Sequence, residues 1–264
     1  MRYAFSDLYS SFRSVRLWAF ISAKNLELQY RRNVLGLFWL VVSFVVPATG
    51  IGFVLSELQG LPLRQHVPHV LLGFVGWYVI SEFVVQGSKA LTRNRPIILQ
   101  APLGRSVFVL SHVLERFIVM LVNLGSALIV IALFGWRPTE TLLFVPVSIL
   151  IILVAGFGTV LFVSILSARL RDLSELIGSV MRLLFFFTPI IWSADTRVMP
   201  ADSFLSVVAR YNPLTYFVEV LRKPVLGEWP DLLTIGVSSG LALMMLVLGL
   251  VVLQRGGRTI AFFV

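Results

Sequence analysis

The sequence contains no cysteine among its 264 residues, and only 13% of its residues are charged. The missing cysteine excludes disulfide bridges, thiol nucleophiles and cysteine-ligated zinc. Soluble domains carry about 25% charged residues, whereas 58% of this chain is hydrophobic. The chain has too little charge to cover a water-exposed surface of its size, so its composition indicates a protein embedded in lipid.

Motifs for chemistry on a bound ligand are missing as well. The sequence has no GxxxxGK[ST] phosphate loop, so nothing in it predicts binding of a nucleoside triphosphate. The three histidines, His66, His69 and His112, lie apart from any carboxylate cluster, which disfavours a metal site. No hydrolase triad can be assembled from the spacing. We expect a protein that is not an enzyme, with no catalytic residue, no metal and no cofactor in this chain.

What the sequence has instead is long charge-free runs. A bilayer core about 30 Å thick requires roughly 20 apolar residues at about 1.5 Å per residue. Six runs are long enough, although the second includes Glu82 and the fifth must extend back through Arg182. They predict an all-α membrane protein with six transmembrane helices at residues 33–56, 67–88, 117–136, 141–168, 176–194 and 232–254.

The basic residues between these runs predict their orientation, because Lys and Arg are retained on the cytoplasmic side of a membrane. They concentrate in the N-terminal segment, the second-to-third connection, the fourth-to-fifth connection and the tail. In residues 195–231 acids outnumber bases. We therefore expect a multi-pass protein with both termini in the cytoplasm, residues 195–231 outside and no cleaved signal peptide. The excess of basic residues is explained by this topology, and nucleic-acid binding is not expected.

The segment before the first run predicts an amphipathic helix. Apolar residues recur at helical spacing beside a basic flank: Phe5, Leu8, Phe12, Val15, Ala19 and Leu26. Such a helix is expected to lie at the interface with membrane lipids, its apolar face in the headgroup boundary and its arginines near anionic lipid. The alternative is a cytosolic helix packed against a partner.

Residues 195–231 are too long for a turn, and their apolar pieces are too short to cross a bilayer. Proline removes a backbone donor and restricts the residue before it, so Asn212-Pro213 predicts a break between two short helices. We expect a re-entrant or cap element ahead of the last span, and a disordered loop is the alternative. The chain then forms one domain, residues 1–264, with a cytoplasmic interfacial segment (1–32), a six-span bundle including a periplasmic cap (33–254) and a cytoplasmic tail (255–264).

Charged, small and aromatic residues inside the runs are candidates for function. Glu82 and Arg182 are the deepest charges, and each is expected to pair or to lie near a helix end. Glycine pairs at Gly156 and Gly158 and at Gly236 and Gly240 indicate close helix contacts, within the chain or between copies. Aromatic rings could pack in the core, anchor at the interface or offer flat faces to a passing sugar chain: Phe38, Trp39, Trp77, Tyr78 and Trp192.

Three segments resemble the permeases of polysaccharide ABC exporters. Residues 30–39, YRRNVLGLFW, resemble the start of the first span in that family. Residues 169–173, RLRDL, resemble the fourth-to-fifth cytoplasmic loop with its Arg-Asp pair. Residues 212–216, NPLTY, followed by Arg222, resemble the element ahead of the last span. The spacing of the three segments extends the resemblance over essentially the whole chain.

The resemblance implies a type-2 ABC exporter permease for a lipid-linked polysaccharide, with O-antigen favoured over capsular polysaccharide or teichoic acid. It implies a homodimer in the bacterial inner membrane that binds two ATP-binding cassette subunits, which hold ATP and Mg²⁺ and hydrolyse the nucleotide. A drug or lipid exporter permease of the same fold and a membrane scaffold without transport activity are the alternatives.

The resemblance also assigns residues to roles. ATPase coupling falls to Arg169, Arg171, Asp172 and Glu175, with Asn94 and Arg105 of the second-to-third connection. The cytoplasmic entrance falls to Tyr30, Arg31 and Arg32, and the periplasmic gate to Asn212, Pro213 and Tyr216. The channel is expected to use the five aromatic residues named above.

Overall fold

The structure is a computed structural model that describes residues 2–30, 36, 38–100, 103–170, 172–192 and 203–256. The described residues form α-helices and short 3-10 helices and contain no strand. This confirms the all-α fold for the described part of the chain. The α-helices are α1 (Arg2–Arg13), α2 (Val15–Tyr30), α3 (Phe38–Gln59), α4 (Leu63–Val85), α5 (Ala90–Arg93), α6 (Arg95–Gln100), α7 (Arg105–Leu133), α8 (Val145–Arg169), α9 (Leu173–Phe187), α10 (Phe204–Tyr211), α11 (Pro213–Leu226) and α12 (Leu232–Gly256).

Five helical stretches of the described residues are long and apolar enough to cross a bilayer. They are Phe38–Gln59, Leu63–Gln100, Arg105–Leu133, Glu140–Arg169 and Leu232–Gly256. At the place of the fifth predicted span stands α9, whose 15 residues rise only about 22 Å against a bilayer core of about 30 Å. Five of the six predicted spans thus have a full-length helix, and a crossing by the fifth predicted span stays a prediction.

Helix α7 begins twelve residues before the predicted start of the third span. The charge-free rule placed that start at Phe117 because Glu115 and Arg116 come directly before it. In the structure both side chains lie inside the bundle and pair with each other. Their mutual attraction and their hydrogen bonds offset part of the cost of burying both charges, and the helix continues through them.

The N-terminal segment forms two helices where the apolar pattern predicted one, with the break at Ser14. Helix α1 is attached to the bundle by Asp7, whose two carboxylate oxygens accept hydrogen bonds from the Arg105 and Ser106 amides at 2.8 and 2.9 Å. These amides belong to the first turn of α7, which has no intrahelical acceptor for them and favours a negative charge. Helix α2 packs against α7 and buries Ile21 and Leu26.

Helices α8 and α12 form the closest pair in the bundle, and glycine makes their approach possible. A Cβ added at Gly158 would lie 2.3 Å from the Leu246 amide nitrogen of α12. A Cβ added at Gly249 would lie 2.6 Å from the Gly158 carbonyl oxygen. Gly236 and Gly240 face open space instead. The first glycine pair of the sequence therefore includes an intrachain contact, and the second is free of one.

Substituting Gly158→Val is expected to destabilise the protein by at least about 2 kcal/mol, because the new side chain meets backbone atoms that cannot move aside. Thermal unfolding of the purified protein in detergent measures the change. Gly240→Ala is the matched control, since nothing within 4 Å of its Cβ position would be disturbed. Equal unfolding temperatures for the two variants would contradict the close α8–α12 contact.

Candidate functional site

The bundle has two ends that carry different polar groups. The α1 end contains α1, α5, α6, the C-terminal ends of α4, α8 and α12, and the N-terminal ends of α7 and α9. The α11 end contains α10, α11, the N-terminal ends of α4 and α12, and the connection from α7 to α8. The residues predicted for ATPase coupling fall at the α1 end, and those predicted for the gate fall at the α11 end.

At the α1 end an ion pair joins the two connections that were predicted to contact the ATPase. Lys89 Nζ, which follows α4, lies 3.1 Å from Glu175 Oε1 in the first turn of α9. Asp172 is exposed beside it, and Arg169 lies against α12, where a Cβ at Gly256 would come within 2.9 Å of its Nη2 atom. Arg171 lies outside the described residues. The structure therefore brings these two distant segments of the sequence together on one surface.

Two residues predicted for coupling make contacts within the chain. The buried Asn94 side chain donates a hydrogen bond to the Ala90 carbonyl oxygen at 2.7 Å. Arg105 donates from Nη1 to the Leu103 carbonyl oxygen at 3.1 Å. Asn94 therefore holds the turn between α5 and α6, a structural role beside the one that the resemblance implies.

A network of four charged side chains crosses the interior near the α1 end. Arg116 donates to Glu82 Oε2 at 2.6 Å and also pairs with the adjacent Glu115, and Arg93 donates to Glu115 Oε2 at 2.8 Å. Arg116 also donates to Gln29 Oε1 of α2 at 3.3 Å. The network links α2, α4, α5 and α7 and contains two acids and two bases. As expected, Glu82 is paired, and its partner is Arg116.

Beside this network lies a cavity of about 200 Å³ between α2, α3, α4 and α7, which we call the inner cavity. Its polar lining includes Tyr30, Tyr78, Glu82, Arg116 and Asn123. Tyr30 and Tyr78, which were predicted for the entrance and the channel, thus line one cavity. Arg31 and Arg32 lie outside the described residues.

The other predicted channel aromatics have different surroundings. Phe38 and Trp39 are exposed at the start of α3. Trp77 is buried, with its ring edge-on to Phe185 of α9 at 5.6 Å between centroids. The Trp192 indole donates to the Phe186 carbonyl oxygen at 3.3 Å. Trp77 and Trp192 therefore hold α9 in place, whereas Phe38 and Trp39 are available to lipid, a partner or a passing chain.

The predicted gate residue Asn212 caps two helices. Its amide oxygen accepts from the Leu214 backbone amide at 3.0 Å and so caps the N-terminus of α11, with Pro213 at the first helical position. Its amide nitrogen donates to the Thr188 hydroxyl at 2.8 Å and to the Phe187 carbonyl oxygen at 3.3 Å, just past the end of α9. Asn212 thereby fastens α11 to the point where α9 stops. Pro213 is exposed, and the Tyr216 hydroxyl donates to the Arg210 carbonyl oxygen at 2.7 Å.

Arg222 of α11 contacts the segment that follows α9. Its side chain is 2% exposed, donates from Nη1 to the Pro189 carbonyl oxygen at 2.8 Å, and pairs with Glu219. The same nitrogen lies 2.9 Å from His69 Nε2. The Trp192 carbonyl oxygen lies 3.2 Å from the same Nε2 atom. Gly73 of α4 lets the chain at Ile190 pack closely against α4, since a Cβ at Gly73 would lie 2.7 Å from the Ile190 carbonyl oxygen.

More than half of the residues of helix α11 are buried. Three of its carbonyl oxygens accept hydrogen bonds from side chains. Pro224 has no N–H to offer the Val220 carbonyl oxygen, and the Ser148 hydroxyl donates to it at 2.5 Å. Near the helix end, Thr141 donates to the Pro224 carbonyl oxygen at 2.7 Å and Trp136 to that of Val225 at 2.6 Å. Such donors let a short helix with interrupted backbone bonding lie inside a membrane protein.

A second cavity, of about 880 Å³, opens at the α11 end, and we call it the outer cavity. Tyr216 lines it together with charged residues: Arg64, Arg210, Glu219, Arg222, Lys223, Glu228 and Asp231. Lys223 Nζ lies 2.5 Å from Asp231 Oδ1. Burial raises the pKa of Asp231, but hydrogen bonds from Lys223 and Thr234 outweigh burial and lower it to about 2. The Asp231 carboxylate is therefore ionised at neutral pH.

Comparison with known proteins identifies the family. The model of the ABC-2 type transporter membrane family matches residues 16–226, which is most of the chain. The chain belongs to the ABC-2 type transporter family. It is 23% identical over 199 residues to the O-antigen export system permease protein RfbA of Klebsiella pneumoniae, covering 75% of each chain. It is 24% identical over 195 residues to the protein of that name from Myxococcus xanthus, covering 72% of this chain and 73% of the relative.

The family match covers a defined part of this ABC-2 permease. It runs from α2 to the last residue of α11 and so includes the charged network, the end of α9 and its capping residues. The resemblance seen in the sequence is thereby confirmed at the level of the family, and the protein is a multi-pass membrane subunit of an ABC transporter.

The sequence did not reveal some residues that hold the helices of this ABC-2 permease together. Glu115 and Arg116 were treated as a boundary, although two adjacent opposite charges before an apolar run can also signal a buried pair. Ser148 gave no signal, because a lone serine in an apolar run differs little from its neighbours. Arg222 was noticed only as part of the resemblance, and its burial comes from the fold.

Arg222→Met is expected to destabilise this ABC-2 permease by about 3 to 5 kcal/mol, because it leaves Glu219 and the Pro189 carbonyl oxygen without their donor. Lys223→Met, at the next position, removes a partly exposed pair worth at most about 1 kcal/mol. Denaturant unfolding followed by tryptophan fluorescence compares the two. Equal losses for both variants would show that Arg222 does not hold the end of α9.

Proposed function

We propose that the chain is the permease of an ATP-driven exporter that carries a lipid-linked polysaccharide, O-antigen in the first instance, across the bacterial inner membrane. The observation that carries the proposal is the family match together with relatives named as O-antigen export permeases. The sequence supplies no phosphate loop, so ATP and Mg²⁺ are bound by a separate ATP-binding cassette subunit. Capsular polysaccharide and teichoic acid are substrates of the same class.

The packing of one copy supports a homodimer. The inner cavity uses α4 from Val75 onward and the outer cavity uses α4 up to His69. Between them Val70, Leu71 and Leu72 are fully buried. Within the described residues, then, apolar packing along α4 separates the two cavities. A hydrated glycan needs a continuous polar path, and two copies can provide it where their surfaces face each other.

The proposed orientation places the α1 end in the cytoplasm with both termini. Helix α9 then starts at the cytoplasmic side and, with residues 188–192 after it, forms the fifth of the six predicted spans. Helices α10 and α11 form the periplasmic cap, with Asn212, Pro213 and Tyr216 at the gate. Helix α1 exposes Phe5, Tyr9 and Phe12, as an interfacial helix in contact with lipid would.

The surface that joins Lys89 to Glu175 is the proposed docking site of the ATPase. Closure of two ATPase subunits on ATP would move this surface, and the fixed contact between the two connections would pass the motion to α4 and α9 together. Co-expression with the cognate ATPase and purification through a tag on this chain tests the assembly. Retention of the ATPase in detergent supports the proposal, and purification of this chain alone contradicts it.

Replacing Arg171 and Asp172 together with Ala is expected to leave membrane insertion and ATP hydrolysis in place and to lower export at least fivefold, about the low end for an allosteric coupling. Surface display of the glycan in cells and ATPase turnover of the purified complex measure the two effects. Replacing Lys24 and Glu27 together with Ala is the matched control, because they are an exposed basic and acidic pair on α2, outside both connections. Unchanged export by the double variant would overturn the docking role.

A further inference from the structure

A chain of polar contacts runs from the surface of α5 through the interior to the last turn of α2. Arg93, the last residue of α5, donates to Glu115 Oε2 at 2.8 Å. Glu115 pairs with its neighbour Arg116, which donates from Nη2 to Gln29 Oε1 at 3.3 Å. Arg93 and Gln29 are exposed, whereas Glu115 and Arg116 are buried. The chain of contacts therefore has both ends at the surface and its middle in the core.

Helix α7 joins the two halves of this chain of contacts. Glu115 and Arg116 are adjacent on α7, and neighbouring side chains of an α-helix point about 100° apart. Glu115 can therefore reach α5 while Arg116 reaches α2 and also donates to Glu82 Oε2 of α4 at 2.6 Å. Because both side chains belong to one turn of a helix, a displacement of Arg93 acts through Glu115 on the guanidinium that binds Gln29.

The buried pair on α7 serves the arrangement of helices more than stability. Replacing a buried ion pair with apolar residues of similar volume is often neutral or stabilising, and the best-attested use of such pairs is to fix one arrangement of helices. Here Glu115 and Arg116 fix the positions of α5, α4 and α2 around α7.

Helix α2 has the features of a helix that can be repositioned. Of its 16 residues, Ile21, Ser22 and Leu26 are buried. Three of its polar atoms are buried without a hydrogen-bond partner in the described part of the chain, namely Trp18 Nε1, Ser22 Oγ and Asn25 Nδ2. Few buried apolar residues and unpaired polar groups are features of a segment with low local stability. A hydrogen bond at the end of α2 can therefore influence where that end lies.

Both ends of the chain of contacts lie beside places with a proposed role. Helix α5 begins directly after Lys89, whose pair with Glu175 marks the proposed docking site of the ATPase. Gln29 directly precedes Tyr30, which was predicted for the cytoplasmic entrance and lines the inner cavity. A movement that starts at the docking site thus has a bonded path to the entrance.

We propose that Arg93, Glu115, Arg116 and Gln29 form a relay that transmits movement of the docking site to the end of α2. The relay rests on the proposed export function: ATP binding by the partner subunits displaces α5, and the relay then shifts Tyr30 at the entrance. All four are positioning residues, because each acts through the next.

The first test changes one end of the relay and measures the other. Hydrogen exchange of the full-length chain in lipid nanodiscs is followed by mass spectrometry. Arg93→Met removes the donor that α5 gives to Glu115. It should raise the exchange rate at residues 27–30 at least about fivefold, the low end for a coupling between two sites. Gln29→Leu should raise exchange at residues 90–93 by a similar factor, because a coupling free energy is reciprocal.

Each variant has a matched control. Arg95→Met is the control for Arg93→Met, since Arg95 lies two residues further along, is exposed and takes no part in the relay. Lys24→Ala is the control for Gln29→Leu, since it breaks the exposed pair with Glu27 on the same helix. Neither control should change exchange at the far end of the relay.

The double variant separates a relay from a loss of stability. In a relay, Gln29→Leu removes the path through which Arg93→Met acts. The double variant should then exchange at residues 27–30 no faster than Gln29→Leu alone. Additive effects, or an equal increase throughout α12, would mean that the substitutions weaken the whole bundle and would overturn the relay. Unchanged exchange at the far end in both single variants would overturn it too.

The second test connects the relay to ATP. In the complex with the ATPase subunit, a non-hydrolysable ATP analogue should change exchange at residues 27–30. With Gln29→Leu this change should be at least about fivefold smaller, while ATP hydrolysis is maintained. A change that persists in the variant refutes this inference alone. A chain that binds no ATPase refutes the proposed function, and the first test, which uses the chain by itself, still decides whether the two ends are coupled.

Discussion

The fold depends on satisfying backbone groups where helices stop inside an apolar bundle. Helix α9 ends after 15 residues, and its last carbonyl oxygens cannot turn to water as they would in a soluble protein. The Leu184 carbonyl oxygen accepts from Thr188, that of Phe186 from Trp192 and that of Phe187 from Asn212. Arg222 donates to the Pro189 carbonyl oxygen, two residues past the helix end. The position of α11 follows from this requirement, because two of the four donors belong to its N-cap and its interior.

This arrangement explains why the Asn-Pro pair and the arginine ten residues after Asn212 occur together. Asn212 begins α11 and ends α9 at once, and Arg222 reaches the same carbonyl segment two to three turns further along. The sequence assigned no role to His69, whose Nε2 atom lies 2.9 Å from Arg222 Nη1 and 3.2 Å from the Trp192 carbonyl oxygen and so belongs to the same cluster. A gate built on this element would move α9 and α11 as one piece, and the charged outer cavity lies directly beside it.

Much of the architecture could be predicted from the sequence, because apolar length is a direct consequence of bilayer thickness. The spans at α3, α4, α8 and α12 and the break at Asn212 lie close to where the pattern placed them. Helix α7 begins twelve residues before the predicted span, because a buried ion pair at Glu115 and Arg116 looks like a boundary when only charge is counted. The two helices at the N-terminus and the role of Ser148 depend on contacts between distant segments, which periodicity does not contain. Among the candidate site residues, the resemblance pointed to Asn212, whereas the inner cavity required Asn123, Arg116 and Tyr78 to be seen together.

The central claim is that α9 completes a sixth crossing, so that the α1 end and the α11 end face opposite sides of the membrane. The absence of cysteine allows a direct measurement with single cysteines at Glu228 and at Asp172, both exposed in the structure. A membrane-impermeant maleimide added to spheroplasts should label the cysteine at 228 at once and the cysteine at 172 only after permeabilisation. Labelling of both positions from the same side would contradict the account.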